Sequence, residues 1–267
     1  MAPAGAAAAG RAPPAASESG SAAPPAEDRP VDAETLPYAD VEEQLAYGYF
    51  AFPSDMVEPL PAILLVHDWW GLDDDMRAAA NRLAASGYIV LAVDLYGGET
   101  AADAGAAREK TIAVFENTDA VAENIRQAID FVEVAGAPAV AIIGWGFGGG
   151  FALDTALEHP DRIDAVVVFY GQVPGSADRL ATLDAPVLGL FGGADSSITR
   201  ESVEAFGAAT HRLGKPADIE IYADAGQGFA DVRRRAYDAA LAARAWQRML
   251  EFLATHLVAG VHTDEAP

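Results

Sequence analysis

The sequence contains no cysteine, which excludes disulfides, thiolate metal sites and a cysteine nucleophile together. Cations are scarce: 17 Lys and Arg stand against 40 Asp and Glu, a formal net charge of −23. Only Lys110 and Lys215 are lysines. A surface of that sign repels nucleic acid and anionic lipid, so neither is an expected partner. It also repels itself, and at ~1 M salt, where the Debye length is about 3 Å, most of that repulsion disappears. The acid-rich, lysine-poor, alanine-rich balance resembles that of halophilic proteins. Long apolar runs are absent as well. No stretch reaches the roughly 18 consecutive apolar residues of a membrane span, so none is expected.

Large apolar residues are rare in residues 1–36, which are Ala, Pro, Ser and Gly with scattered charge. That composition predicts a disordered tail. It has no basic n-region and no strong apolar h-region, so it does not read as a signal peptide. A linker left after signal removal would look the same, so a soluble protein, cytoplasmic or exported, is expected. The whole chain is 51% hydrophobic, enough for one large α/β domain over residues 37–258, with a short tail at 259–267.

Within that domain, residues 44–52 alternate as a strand does. Short apolar runs at Ala62–Val66, Tyr88–Val93, Ala139–Ile143, Ala165–Phe169, Val187–Phe191 and Ile219–Tyr222 read as buried strands. Between and after them, helices are predicted over Asp73–Ser86, Ala101–Asn117, Ala120–Ala135, Gly149–Glu158, Arg200–Leu213 and Ala236–Leu257. This alternation predicts a mostly parallel sheet covered by helices on both faces.

In such sheets ligands bind beyond the carboxyl ends of the strands. The residues just after the apolar runs are therefore the candidates. They are His67-Asp68-Trp69-Trp70-Gly71, Asp94-Leu95-Tyr96-Gly97-Gly98, Gly144-Trp145-Gly146-Phe147-Gly148, Gly192-Gly193-Ala194-Asp195 and Gly226-Gln227-Gly228-Phe229.

In type, order and spacing, these five segments resemble the dienelactone hydrolase family of α/β hydrolases, over about residues 40–257. The resemblance implies a single α/β-hydrolase domain that acts on small esters and lactones without metal or organic cofactor. It also implies a nucleophile at an elbow, assisted by an Asp and a His. Carried over residue by residue, the acid falls on Asp195, the nucleophile position on Gly146 and the histidine position on Gln227. Two of the three groups are thus replaced. Gly144 and Gly148 supply the small flanking residues that an elbow needs. Glycine at 146 keeps the turn without the strain of a side chain and removes the attacking atom. Glutamine at 227 can donate to Asp195 but cannot shuttle a proton near neutral pH.

By the same resemblance, the backbone amides of Trp69 and Phe147 are the oxyanion donors. His67, Asp68, Trp70, Tyr96, Trp145 and Tyr170 are read as lining one pocket for an ester- or lactone-like ligand. Arg233-Arg234-Arg235, at a helix start, reads as a solvated face, so nothing near the last rim segment is expected to hold a substrate carboxylate. Residues 144–149 also fit G-x-G-x-x-G, but the next strand ends in Tyr170-Gly171-Gln172, without the acid a ribose needs. His67, His159, His211, His256 and His262 show no metal-ligand spacing. Three readings are open: a family member that binds a ligand without the nucleophile–His mechanism, a hydrolase using positioned water, or a structural and interaction protein.

Overall fold

The computed structural model describes residues 27–215 and 217–257. Eight strands form one sheet in the order β1-β2-β4-β3-β5-β6-β7-β8. The strands are β1 (Val31–Val41), β2 (Gln44–Pro53), β3 (Ala62–Val66), β4 (Ile89–Val93), β5 (Val140–Trp145), β6 (Ala165–Phe169), β7 (Val187–Gly192) and β8 (Ala217–Tyr222). The pairs β1–β2 and β2–β4 are antiparallel, and all others are parallel. Every residue of β3, β4, β5, β6 and β7 is buried, as continuous apolar runs covered on both faces must be.

Six helices cover the faces: α1 (Asp74–Ala85), α2 (Ala104–Glu116), α3 (Thr118–Val134), α4 (Phe147–Glu158), α5 (Arg200–Leu213) and α6 (Ala239–Leu257). The starts of α1 and α2 are fixed by Asp73 and Asp103, whose carboxylates accept two backbone N–H groups each. On one face, α3 and α4 pack Ile125, Ile129 and Leu153 against the central strands and α5 packs Phe206 towards β8; on the other, α1 and α6 pack Leu83, Met249 and Leu253.

One strand begins earlier than composition suggested. β1 starts at Val31, inside the segment read as tail, and pairs with β2 from Val31↔Pro53 to Val41↔Gln44. A main-chain ladder needs no large side chains, so small residues do not prevent it. Its connection, Glu42-Glu43, has φ of 53° and 63°, the left-handed pair that a two-residue hairpin turn requires. The remainder of the expected tails, residues 1–26 and 258–267, lies outside the described residues. No helix among the described residues is long and apolar enough to cross a membrane.

Candidate active site

The carboxyl ends of β3 to β8 bring the rim segments to one side of the sheet, and their centre is the β5–α4 junction. Gly146 there has φ 56° and ψ −120°, a conformation that L side chains adopt only under strain. Its N–H donates to the Phe169 carbonyl (2.9 Å) and its carbonyl accepts from Gly149 N–H (3.1 Å). The flanking glycines are sterically required. A Cβ on Gly144 would lie 2.1 Å from the Gly148 carbonyl oxygen, and one on Gly148 would lie 2.3 Å from that of His67. At Gly146 the contrast is sharp: the nearest atom to an added Cβ is Asp68 Cβ, at an ordinary 3.9 Å. The backbone is that of a nucleophile elbow with room for a side chain.

Asp195 lies three residues beyond the end of β7 and is buried. Its Oδ1 accepts the N–H groups of Ser197 (2.7 Å) and Ile198 (3.0 Å), while its buried Oδ2 has no partner among the described residues. Gln227, after β8, donates from Nε2 to the Tyr170 carbonyl (3.3 Å), and its Oε1 is likewise buried and unpartnered. The Gln227–Asp195 hydrogen bond expected from sequence is therefore not formed. Tyr170, whose carbonyl takes the amide, directly follows β6 with φ 40°.

Neither the Trp69 nor the Phe147 backbone N–H donates to any acceptor among the described residues. Phe147 opens α4, where the first N–H groups have no intrahelical acceptor. The Trp69 carbonyl is tied down by the Tyr96 hydroxyl at 3.1 Å. Both amides are thus without a protein acceptor among the described residues, but only Phe147, not Trp69, borders the cavity onto which Gly146 opens.

The residues read as lining one pocket divide among several environments. Gly146, Phe147, Tyr170 and Gln227 face a cavity of about 420 Å³. Trp145, expected there, instead stacks on Phe169 (4.9 Å, 13°) and borders a second cavity of about 330 Å³ together with Asp68. As the last residue of β5, its side chain points to the α1–α6 face. Tyr96 borders a third cavity of about 370 Å³, near the β1–β2 turn. Trp70 is fixed by Nε1 donating to Asp231 (2.9 Å) and by its own N–H donating to Asp68 Oδ1 (2.9 Å).

His67, read as lining the pocket, borders none of these three cavities and is fully buried. Its Nδ1 donates to the Asp68 carbonyl (2.6 Å) and its Nε2 accepts from Leu95 N–H (3.1 Å). Those bonds define one neutral tautomer, and burial pushes the imidazole pKa down. Asp68 is perturbed in the opposite direction. Burial raises its carboxyl to about 7, helped by Asp231 and Asp73 and opposed by the Trp70 N–H and Arg233.

Of the triplet read as a solvated face, Arg233 and Arg235 are exposed and Arg234 is half-buried, but Arg233 and Arg234 also make specific contacts. Arg233 lies 4.6 Å over the Trp70 ring and pairs with Asp73, Asp68, Asp75 and Asp231. Arg234 lies 4.2 Å over the Trp69 ring. Consecutive arginines thus clamp consecutive tryptophans, a contact between segments about 160 residues apart that no local pattern announces. Sequence reasoning also missed Phe115, Phe151, Asp154 and Arg179 on the 420 Å³ cavity. They lie on α2, α4 and the β6–β7 connection, outside every rim motif. Among the described residues no group of three or more His, Asp or Glu side chains is placed to hold a metal ion.

A mostly parallel sheet with an elbow at the end of a central strand, and an acid after a later one, defines the α/β-hydrolase class. The family model of the dienelactone hydrolase family matches residues 47–257, and the chain belongs to that family. A relative from Escherichia coli O157:H7, provisionally named carboxymethylenebutenolidase, is 32% identical over 220 residues, spanning 77% of this chain and 80% of its own. A protein of the same provisional name from Saccharolobus solfataricus is 28% identical over 240 residues, spanning 76% and 92%. A provisionally named dienelactone hydrolase from Klebsiella pneumoniae superposes with a TM-score of 0.76 at 25% identity, covering 85% of this chain and 99% of its own. Dienelactone hydrolase from Anabaena variabilis superposes with a TM-score of 0.64 at 21% identity over the same shares, a likeness of fold.

Proposed function

We propose that this protein binds a small ester- or lactone-like molecule in the 420 Å³ cavity and forms no acyl-enzyme. The observation that carries this reading is Gly146, which keeps the elbow conformation and opens on the cavity with no attacking atom. The proton-transfer partner is missing too. Gln227 is bonded to the Tyr170 carbonyl, and the neighbouring His67 is buried with both ring nitrogens engaged. What remains suits recognition: the unspent amide of Phe147, which borders the cavity, would hold the ligand carbonyl, and the apolar wall would hold its body.

Thermal denaturation with a γ-lactone, an ester and a ketone of similar size tests this directly. A ligand at 100 times its Kd stabilises the native state by about 2.7 kcal/mol, a rise of roughly 5–10 °C for a domain of this size. No rise with any member of the series refutes binding.

A second reading, hydrolysis by positioned water, is favoured by Asp68. Its carboxyl, near 7, can take a proton from water at neutral pH, and its Cβ lies beside the elbow. It ranks second because Asp68 borders the 330 Å³ cavity and Gly146 the 420 Å³ one. Turnover that is lost in Asp68→Asn would establish it; turnover unaffected by that substitution would remove it. We further read the acidic composition as an adaptation to high salt.

A further inference from the structure

We infer that the 420 Å³ cavity selects an uncharged ligand carrying a flat aromatic ring, and that Phe115 on α2 is the residue that determines this preference. The inference deepens the proposed function and rests on its reading that the cavity takes an ester- or lactone-like molecule.

Three observations support it. First, one wall is built of phenyl rings in two orientations. Phe115 stacks on Phe151 (5.6 Å, 26°), and Phe147 meets Phe151 edge-on (5.8 Å, 86°). Such a corner offers an entering ring both a stacked and an edge-to-face partner, which a saturated ring of the same size cannot use as well. Secondly, Phe115 is 56% exposed although it borders the cavity. Much of its ring surface remains to be covered, and a ligand in the cavity would cover it. Thirdly, the charged side chains bordering the cavity are Asp154 and Arg179, which pair at 2.7 Å. The pair sums to zero, so an ionic ligand would have to compete with an ion pair already made, whereas an uncharged one leaves it intact.

Phe115 lies near the carboxyl end of α2, within which only Ala107 and Val114 are buried.

The test compares acetophenone with cyclohexyl methyl ketone, two uncharged ketones with the same carbon count, by calorimetry in molar KCl. Acetophenone is expected to bind roughly three- to tenfold tighter to the unmodified protein. Phe115→Leu is expected to abolish that preference while leaving the cyclohexyl ketone within about twofold. Because Phe115 is largely exposed, the variant should fold, and far-UV circular dichroism will show it. Equal affinities in the unmodified protein, or an equal loss for both ketones in Phe115→Leu, would overturn the assignment while leaving ligand binding intact. Failure of both ketones to bind would overturn it together with the proposed function.

Discussion

Alanine substitutions at Gly144, Gly146 and Gly148 should separate backbone strain from steric exclusion at one turn. At Gly146 the new Cβ meets nothing closer than 3.9 Å, so the only cost is holding a side chain at φ 56°. Such conformations cost about 1–3 kcal/mol, so Gly146→Ala should lose about 2 kcal/mol, or roughly 4–8 °C in Tm. At Gly144 the Cβ would lie 2.1 Å from the Gly148 carbonyl oxygen and 2.5 Å from Gly149 N. Those are backbone atoms of α4, so relief requires moving the helix away from β5, and the loss should exceed about 4 kcal/mol. Gly148→Ala faces the His67 carbonyl oxygen at 2.3 Å and should behave like Gly144→Ala. Urea denaturation in molar KCl, followed by circular dichroism, gives the three values. A Gly144→Ala cost no greater than that of Gly146→Ala, or a stabilising Gly146→Ala, would refute the assignment of strain to Gly146 and close packing to its neighbours.

The double substitution Gly146→Cys with Gln227→His should create esterase activity at least 100-fold above the unmodified protein, about the contribution of a general base alone; a folded double variant without turnover contradicts a preserved rim. Asp68 gives a pH signature. Its carboxyl is raised to about 7 in the native state against an unfolded value near 4, so the native state retains a proton that the unfolded state releases. Its contribution to stability therefore falls as pH rises from about 4 to about 7, by a few kcal/mol at most. Asp68→Asn should gain stability relative to the unmodified protein across that window, and a pH-independent difference in denaturation midpoints would show the cause to be misassigned. With a net charge of −23, Tm should climb with KCl up to molar concentrations as repulsion is screened; a flat salt profile removes the high-salt reading.

The fold was largely legible because five of its strands are uninterrupted apolar runs, and runs of that length bounded by turn residues fit a parallel sheet covered on both faces. β1 escaped because its pairing is carried by the main chain, with Leu36, Tyr38 and Ala39 as its main apolar contacts to the core. At the site, the rim residues after each strand could be read, but not the direction in which each side chain leaves the sheet. Trp145 and Gly146 are adjacent yet border different cavities, since Trp145 is the last residue of β5 and Gly146 turns out of the strand at φ 56°. The Arg233–Trp70 and Arg234–Trp69 clamps, and the choice of Tyr170 over Asp195 by Gln227, are tertiary events between distant segments. Phe115 left no signal beyond one aromatic residue on a helix.

The central claim is that the cavity is kept while covalent chemistry is lost. Hydrolysis of 4-nitrophenyl acetate in molar KCl, by the unmodified protein and by Asp195→Asn, tests it most directly. The account predicts equal, background-level rates for the two folded proteins and no acetylated species by intact-mass spectrometry. Turnover well above the Asp195→Asn control, or a mass increase of one acetyl group that depends on Asp195, would contradict it.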